Sequence, residues 1–353
     1  MHVKKSYGAV VVLLAAVLVA GFLAAESKSN RMERYEVKFF DSFDTVTVIT
    51  GYAKSQEEFQ EQTELLQKKL KYYHELFDIY HAYEGINNIK TVNDAAGKEP
   101  VEVDREMIGL LKLGKEMYQE TGGKINIAYG SVLSVWHEYR EQGMADPKEA
   151  QLPPEELLRK QSEHTDISKV IIDEKASTVF LQDEDMSLDV GSIGKGYAVQ
   201  RLAEYAEEIG MKHLLISVGG NVCAVGNKGD GEPWRVGIEN PDLDSDQSYV
   251  GAVELTEGSI VTSGNYQRFY MVEGKRYCHI IDPDTGMPSE YFPSVSVMAE
   301  DSGKADALST SLFNMEVQEG LALVESMPGV EALWIMEDGG VRCSSGFEFD
   351  EEK

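Results

Sequence analysis

Residues 188–197 read Leu188-Asp189-Val190-Gly191-Ser192-Ile193-Gly194-Lys195-Gly196-Tyr197. The spacing predicts a short strand that enters a glycine-rich turn. The turn opens a helix carrying Tyr197, Ala198, Leu202 and Tyr205. Glycines let a backbone approach a ligand closely, and free amides at a helix N-terminus favour phosphate. Lys195 adds a positive point charge, and Asp189 an acceptor for a donor group or a metal. The stretch is not a Walker A loop, because Gly196 follows the lysine where Ser or Thr is required. Taken alone, it reads equally well as a glycine-capped turn with a solvated lysine.

Outward from this turn, β-type runs dominate the C-terminal side, at Val170–Ile172, Val179–Leu181, Leu214–Val218, Trp234–Ile238, Val250–Leu255, Tyr277–Ile281, Ser294–Met298 and Leu333–Met336. Two helices interrupt them, over Gly194–Ile209 and Lys304–Asn314. On the N-terminal side Val37 to Thr50 alternates apolar and polar residues, as a half-buried strand or hairpin does. Helical spacing follows over Ser55–His74, with Ser55 as N-cap, and over Asp104–Gln119, closed by Gly122-Gly123. Residues 141–163 are polar and read as an exposed loop with a short helix. The expected class is α+β, with mostly antiparallel mixed sheets and flanking helices.

The chain has 353 residues, with 33 Lys+Arg against 61 Asp+Glu and a net charge of −28. The first thirty residues hold three Lys and one Glu, which leaves 30 basic and 60 acidic residues beyond them, a net −30. So acidic a body does not track a nucleic-acid backbone, and anionic headgroups repel it. Three distant cysteines (Cys223, Cys278, Cys343) supply neither a disulfide framework nor a Cys-rich zinc site.

Residues 1–30 decide the compartment. Lys4 and Lys5 precede an uncharged run from Tyr7 to Ala25. As a helix, nineteen residues span roughly 28 Å, close to a hydrocarbon core. A cleaved signal peptide competes with an uncleaved membrane anchor. The small-x-small cleavage candidates are poor and no lipid-attachment cysteine is present, so the anchor is preferred. The expectation is a membrane-tethered protein whose body, residues 31–353, lies outside the cytoplasm.

Three further constellations could carry chemistry. In Ala305-Asp306-Ala307-Leu308-Ser309-Thr310, Asp306 and Thr310 share one helix face, and both offer hard oxygens suited to Mg²⁺. In isolation the default reading of Asp306 is a carboxylate favoured by the helix dipole. In Tyr277–Gly286, His279 sits between core-facing Cys278 and Ile280, ahead of an Asp282-Pro283 turn. Such a histidine is more often structural than catalytic, yet it can act as a base near neutral pH. Val261 to Arg268 is a polar turn able to present amides to an anion. Asp242, Asp244 and Asp246 only mimic a Ca²⁺ loop, since Gln247 and Val253 break the pattern. Ser217–Asn221 reads as a tight turn between strands.

Together, Leu188–Tyr197, Ser217–Asn221, Trp234–Ile238, Val261–Tyr266, His279–Gly286 and Ala305–Thr310 closely resemble the ApbE family of FAD:protein FMN transferases, over roughly residues 36–340. Phe43-Asp44-Thr45, Tyr80 and Asn126–Gly130 fall where that family has its earlier flavin-site segments. The resemblance implies an ApbE-like fold that binds Mg²⁺ and takes FAD as substrate. FMN would pass to a Thr or Ser hydroxyl of an exported acceptor protein, with release of AMP. It also implies that Asp306 and Thr310 hold the metal by their side chains and Ser192 by its main-chain carbonyl. Asp189, Lys195, Ser263, His279 and Ile280 match FAD-contacting positions. His279 matches the residue that deprotonates the acceptor hydroxyl, with Lys195 beside the diphosphate. Phe43, Tyr80, Ile127, Ala128 and Tyr129 would line the adenine and isoalloxazine sites. The sequence departs from the family's usual residues at Phe43-Asp44 (usually Met-Gly), Asn126 and Asn265 (usually Asp) and Ser309 (usually Ala). The implied acceptor is a subunit of a sodium-pumping NADH:quinone oxidoreductase, of an Rnf-type complex, or an extracellular electron-transfer flavoprotein. Two other activities fit the same residues. One is an FAD pyrophosphatase giving FMN and AMP, and the other a non-catalytic, tethered flavin-binding module.

Overall fold

The computed structural model describes residues 32–351, so the expected anchor lies outside the described residues. Among the described residues no helix is long and apolar enough to cross a membrane. Eight strands form the central sheet, in the order Glu33–Ser42, Thr45–Ala53, Leu214–Val218, Asn221–Val225, Gly258–Gly264, Ser294–Ala299, Glu331–Ile335 and Val341–Cys343. Every pair of neighbours is antiparallel, so the expected antiparallel character holds and this sheet is not mixed.

Register gives the sheet two distinct faces, because side chains alternate along each strand. Phe39, Thr47, Val218, Asn221, Val261, Val297 and Ala332 form one cross-strand row, and all are buried. The helices Gln56–Phe77, Gly194–Glu208 and Ser302–Phe313 pack on that face. The next row, Val48, Ser217, Val222, Ile260 and Met298, points the other way. That face meets a three-stranded sheet of Asp350–Glu351, Tyr249–Leu255 and Trp234–Glu239, in that order. The result is a three-layer α+β body.

Local signals account for most elements. Ser55 Oγ accepts from the Glu58 amide and starts Gln56–Phe77, and Asp104 accepts from the Glu106 amide and starts Arg105–Glu120. Several elements depart from expectation, among them Val261–Gly264, which is the second half of the strand Gly258–Gly264 and not a turn. Leu188–Val190 is not a strand, because Asn93 takes the place of a ladder. Its side chain accepts from Leu188 N at 2.7 Å and donates to Leu188 O at 3.0 Å, while Asp189 N donates to Ile127 O. A full helix, Gly130–Ala145, runs into the start of the stretch expected to be a loop from residue 141. Its N-cap, Tyr129, makes no side-chain capping bond, so the start carries no sequence signal. The helix is held by Val132, Val135 and Trp136 packing towards Tyr270. Short helices at Ile89–Asp94 and Val317–Glu325 were likewise not anticipated.

Tyr270 belongs to the hairpin Phe269–Val272/Lys275–Cys278, whose two-residue loop is Glu273-Gly274 with φ of 49° and 82°. Both positions demand left-handed backbone, which glutamate adopts poorly and asparagine well. Glu273→Asn is therefore expected to raise the unfolding free energy by roughly 1 kcal/mol, read as a higher thermal midpoint. An unchanged or lowered midpoint would show that this loop is unstrained.

Candidate active site

A cavity of about 1130 Å³ opens where the central strands end. Its walls come from both faces of the sheet, so it wraps around the strand ends and reaches helices on one side and the small sheet on the other. The turns Phe43-Asp44 and Gly219-Gly220, all at positive φ, form part of the rim.

The most buried carboxylate lining it is Asp306, on Ser302–Phe313, which is 3% exposed. Its Oδ2 accepts from the Gly196 amide at 2.7 Å, and its Oδ1 lies 3.7 Å from Lys195 Nζ. The carboxylate thus caps the N-terminus of Gly194–Glu208 from a different helix. That close approach requires Gly196, because a Cβ there would overlap Ser302 O and the Asp306 Cβ. Burial pushes the Asp306 pKa up, against the opposing pull of Lys195 and the Gly196 amide. The Asn221 side-chain nitrogen is buried, makes no hydrogen bond of good geometry among the described residues, and still lies near enough to favour the ionised carboxyl. Thr310 lies one helical turn after Asp306, and both line the cavity, as does Ser192 of the glycine turn. A buried carboxylate with one close amide donor, a hydroxyl a turn away and main-chain carbonyls nearby is a hard-oxygen set that fits Mg²⁺.

Asp189 is fixed by an Asx turn, its Oδ1 accepting from Gly191 N at 2.8 Å. Burial raises its pKa, while the Gly191 amide, His137 and Arg140 oppose the rise. His279 follows the hairpin strand Lys275–Cys278, with Cys278 and Ile280 buried on either side. Its Nδ1 lies 3.1 Å from Arg268 O. A carbonyl only accepts, so Nδ1 carries the proton and Nε2 keeps its lone pair. Desolvation, then the cations Arg268, Arg140 and Lys195, hold its pKa well below the ordinary histidine range, so the ring is neutral.

Aromatic groups line the opposite wall. Asp78 accepts from Tyr80 N, His81 N, His81 Nδ1 and Tyr83 OH and so ties down the loop that presents Tyr80. The Tyr80 ring lies 5.1 Å from that of His137, which also contacts Arg140 at 2.7 Å. Phe43 packs edge-on to His74, and its amide donates to His74 Nδ1 at 3.2 Å.

A model described as the ApbE family matches residues 40–334 of this sequence. The chain belongs to the ApbE family. A protein of Treponema pallidum (strain Nichols) named FAD:protein FMN transferase is 34% identical over 272 residues, 73% of each chain. A protein of the same name from Klebsiella pneumoniae (strain 342) is 31% identical over 277 residues, 78% of this chain and 82% of its own. The crystal structure of the ApbE protein of Thermotoga maritima superposes with a TM-score of 0.78 at 29% identity, covering 91% of this chain and all of the other. The flavin transferase ApbE of Vibrio cholerae shares the fold at a TM-score of 0.75 and 24% identity, covering 90% and 98%.

In this ApbE-family chain the fold gathers Phe43, Tyr80, Tyr129, Asp189, Ser192, Lys195, Ser263, His279, Ile280, Asp306 and Thr310 around one cavity. Ile127 and Ala128 do not join them. Both are fully buried beneath it, Ile127 packing near Gly114 and lending its carbonyl to Asp189 N, because the polypeptide turns inward before Gly130. Ser263 is partly committed, its hydroxyl lying 2.8 Å from that of Ser309. Sequence reasoning missed His137, Arg140, Lys124, Asn221 and Arg268 as cavity residues. The apolar spacing of Val132, Val135, Trp136 and Tyr139 was the available signal for the helix that carries His137 and Arg140.

Proposed function

We propose that this chain binds FAD and, with Mg²⁺, transfers its FMN moiety to a Thr or Ser hydroxyl of an exported acceptor protein, releasing AMP. Flavin transfer itself is the activity named for its relatives. The observation that carries the reading is Asp306, which gathers Thr310, Lys195 and a helix N-terminus at the end of a cavity that also holds His279. A diphosphate is doubly charged and the body is strongly acidic, so a local positive field is required. Lys195, Arg140 and Arg268 supply it from the cavity walls. Held by Asp306, Thr310 and the Ser192 carbonyl, Mg²⁺ would supply a Lewis acid that offsets the diphosphate charge.

The chemistry is a phosphoryl-type substitution that needs positioning and charge neutralisation more than covalent help. The acceptor oxygen bonds to the flavin-side phosphorus, and the bond from that phosphorus to the bridging oxygen breaks. AMP leaves with the bridging oxygen. The hydroxyl proton passes to His279 Nε2, whose lone pair is free because Nδ1 donates to Arg268 O. Tyr80, with His137 against it, offers a flat face for one of the two ring systems. In this reading the uncharged run Tyr7–Ala25, behind Lys4 and Lys5, tethers the body outside the cytoplasm, near membrane-bound acceptors.

His279→Ala is expected to slow transfer by roughly a hundredfold or more while FAD binding, followed by flavin fluorescence, stays within twofold or so of wild type. Equal transfer rates would remove the imidazole from the mechanism. Because its pKa is depressed, the neutral form persists as pH falls. The wild-type rate should therefore show no loss on passing through about 6.5, the ordinary histidine value. A loss there that disappears in the alanine variant would contradict the depressed pKa. The activity itself is tested by incubating FAD and Mg²⁺ with and without an acceptor polypeptide. AMP release that depends on the acceptor supports transfer. Equal release without it marks an FAD pyrophosphatase.

A further inference from the structure

We propose that the acceptor polypeptide docks by adding a strand to the free edge of Trp234–Glu239, an inference that rests on the transferase reading above. In the small sheet Tyr249–Leu255 is the middle strand, so Trp234–Glu239 is paired on one side only among the described residues. An antiparallel strand directs alternate amides and carbonyls away from its partner, and here those groups lack a ladder. Val236, Gly237 and Glu239 line the same cavity as His279, and Gly237 is exposed. The free edge is therefore a wall of the active site and not a remote surface.

The facing wall suits alternate side chains of an extended segment. Val48, Val222 and Ile260 point from the large sheet towards this arm, and Val46 (41% exposed) and Tyr249 (49% exposed) stand at its rim. These groups give small apolar side chains somewhere to go and carry no charge for a phosphate. Strand addition combines main-chain hydrogen bonds with such alternating pockets. The cavity volume, about 1130 Å³, also exceeds the roughly 300–1,000 Å³ typical of small-molecule sites, which leaves room for a second substrate.

Position along the edge is set by hydrogen bonds. Gln267 Nε2 donates to Glu239 Oε2 at 2.8 Å, and the next residue, Arg268, accepts from both His279 N and His279 Nδ1 at 3.1 Å. The C-terminal end of the edge strand is thus fastened to the loop that orients the base. A hydroxyl on an added strand would arrive next to that base.

The test uses the full chain with FAD, Mg²⁺ and a displayed library of peptides bearing a central threonine in random flanks. Peptides that become flavin-labelled are remade with single backbone N-methyl groups. The expected result is a period-two pattern, in which methylation at alternate positions slows labelling by about tenfold or more and at intervening positions by less than about threefold. FAD affinity should be unchanged throughout. Uniform tolerance of N-methylation would overturn strand addition while leaving transfer standing. No labelled peptide from an enzyme that binds FAD would overturn the claim that an extended segment is recognised. Failure to bind FAD at all would instead overturn the reading of the cavity.

Discussion

Asp306→Asn is expected to reduce FMN transfer by at least about a thousandfold with little loss of fold. The asparagine oxygen can still accept from the Gly196 amide, so the 2.7 Å cap that joins the two helices survives. What disappears is the negative charge beside Lys195 and the anionic oxygen available to a divalent ion. Asp306→Ala goes further, because it also leaves the buried Gly196 N–H without an acceptor, at about 1–3 kcal/mol. The pair separates chemistry from structure. Transfer by Asp306→Asn at more than a tenth of the wild-type rate would mean that the carboxylate is a helix cap and nothing more.

The second large effect is expected at Gly196→Ala. Overpacking a close contact typically costs about 1–3 kcal/mol, and here the added methyl meets the Ser302 carbonyl and the Asp306 Cβ. Those atoms belong to the facing helix, so the two helices must separate, carrying Asp306 away from Lys195. A displacement of about 1 Å at such a site costs roughly a hundredfold in rate. The variant should therefore melt at a lower temperature and lose transfer together. A wild-type melting midpoint with wild-type activity would show that the helices have slack that the observed geometry lacks. Gly194→Ala is a control. Its added Cβ would meet only ordinary contacts with Val190 and Phe77, and its effect should be small.

Local chemistry was readable wherever a signal lies within a few residues. Ser55 and Asp104 announce their helices, alternation marks the hairpin ending near Thr50, and Gly219-Gly220 makes the tight turn their order suggests. The proposed metal ligands were readable only as a constellation. Asp306 by itself is an ordinary helical carboxylate, and its link to Gly196 joins positions 110 residues apart, beyond any local pattern. Gly196 was legible as part of a flexible turn, not as the contact that lets two helices close. The same limit hid Asn221, whose significance comes from the sheet register that sets it near Asp306. Leu188–Val190 misled for the converse reason. Its apolar pattern suits a strand, yet Asn93 supplies its hydrogen bonds from elsewhere in the chain. His137 and Arg140 escaped notice because their helix starts without a cap.

The most direct test of the proposed mechanism is a crystal structure of the chain with FAD and Mn²⁺ in place of Mg²⁺, read by anomalous scattering. The account predicts a single strong peak bounded by the Asp306 carboxylate, the Thr310 hydroxyl and the Ser192 carbonyl, against the FAD diphosphate, with Lys195 on the same phosphates. FAD seated without an ion at that position, or with its diphosphate away from Asp306, would contradict it.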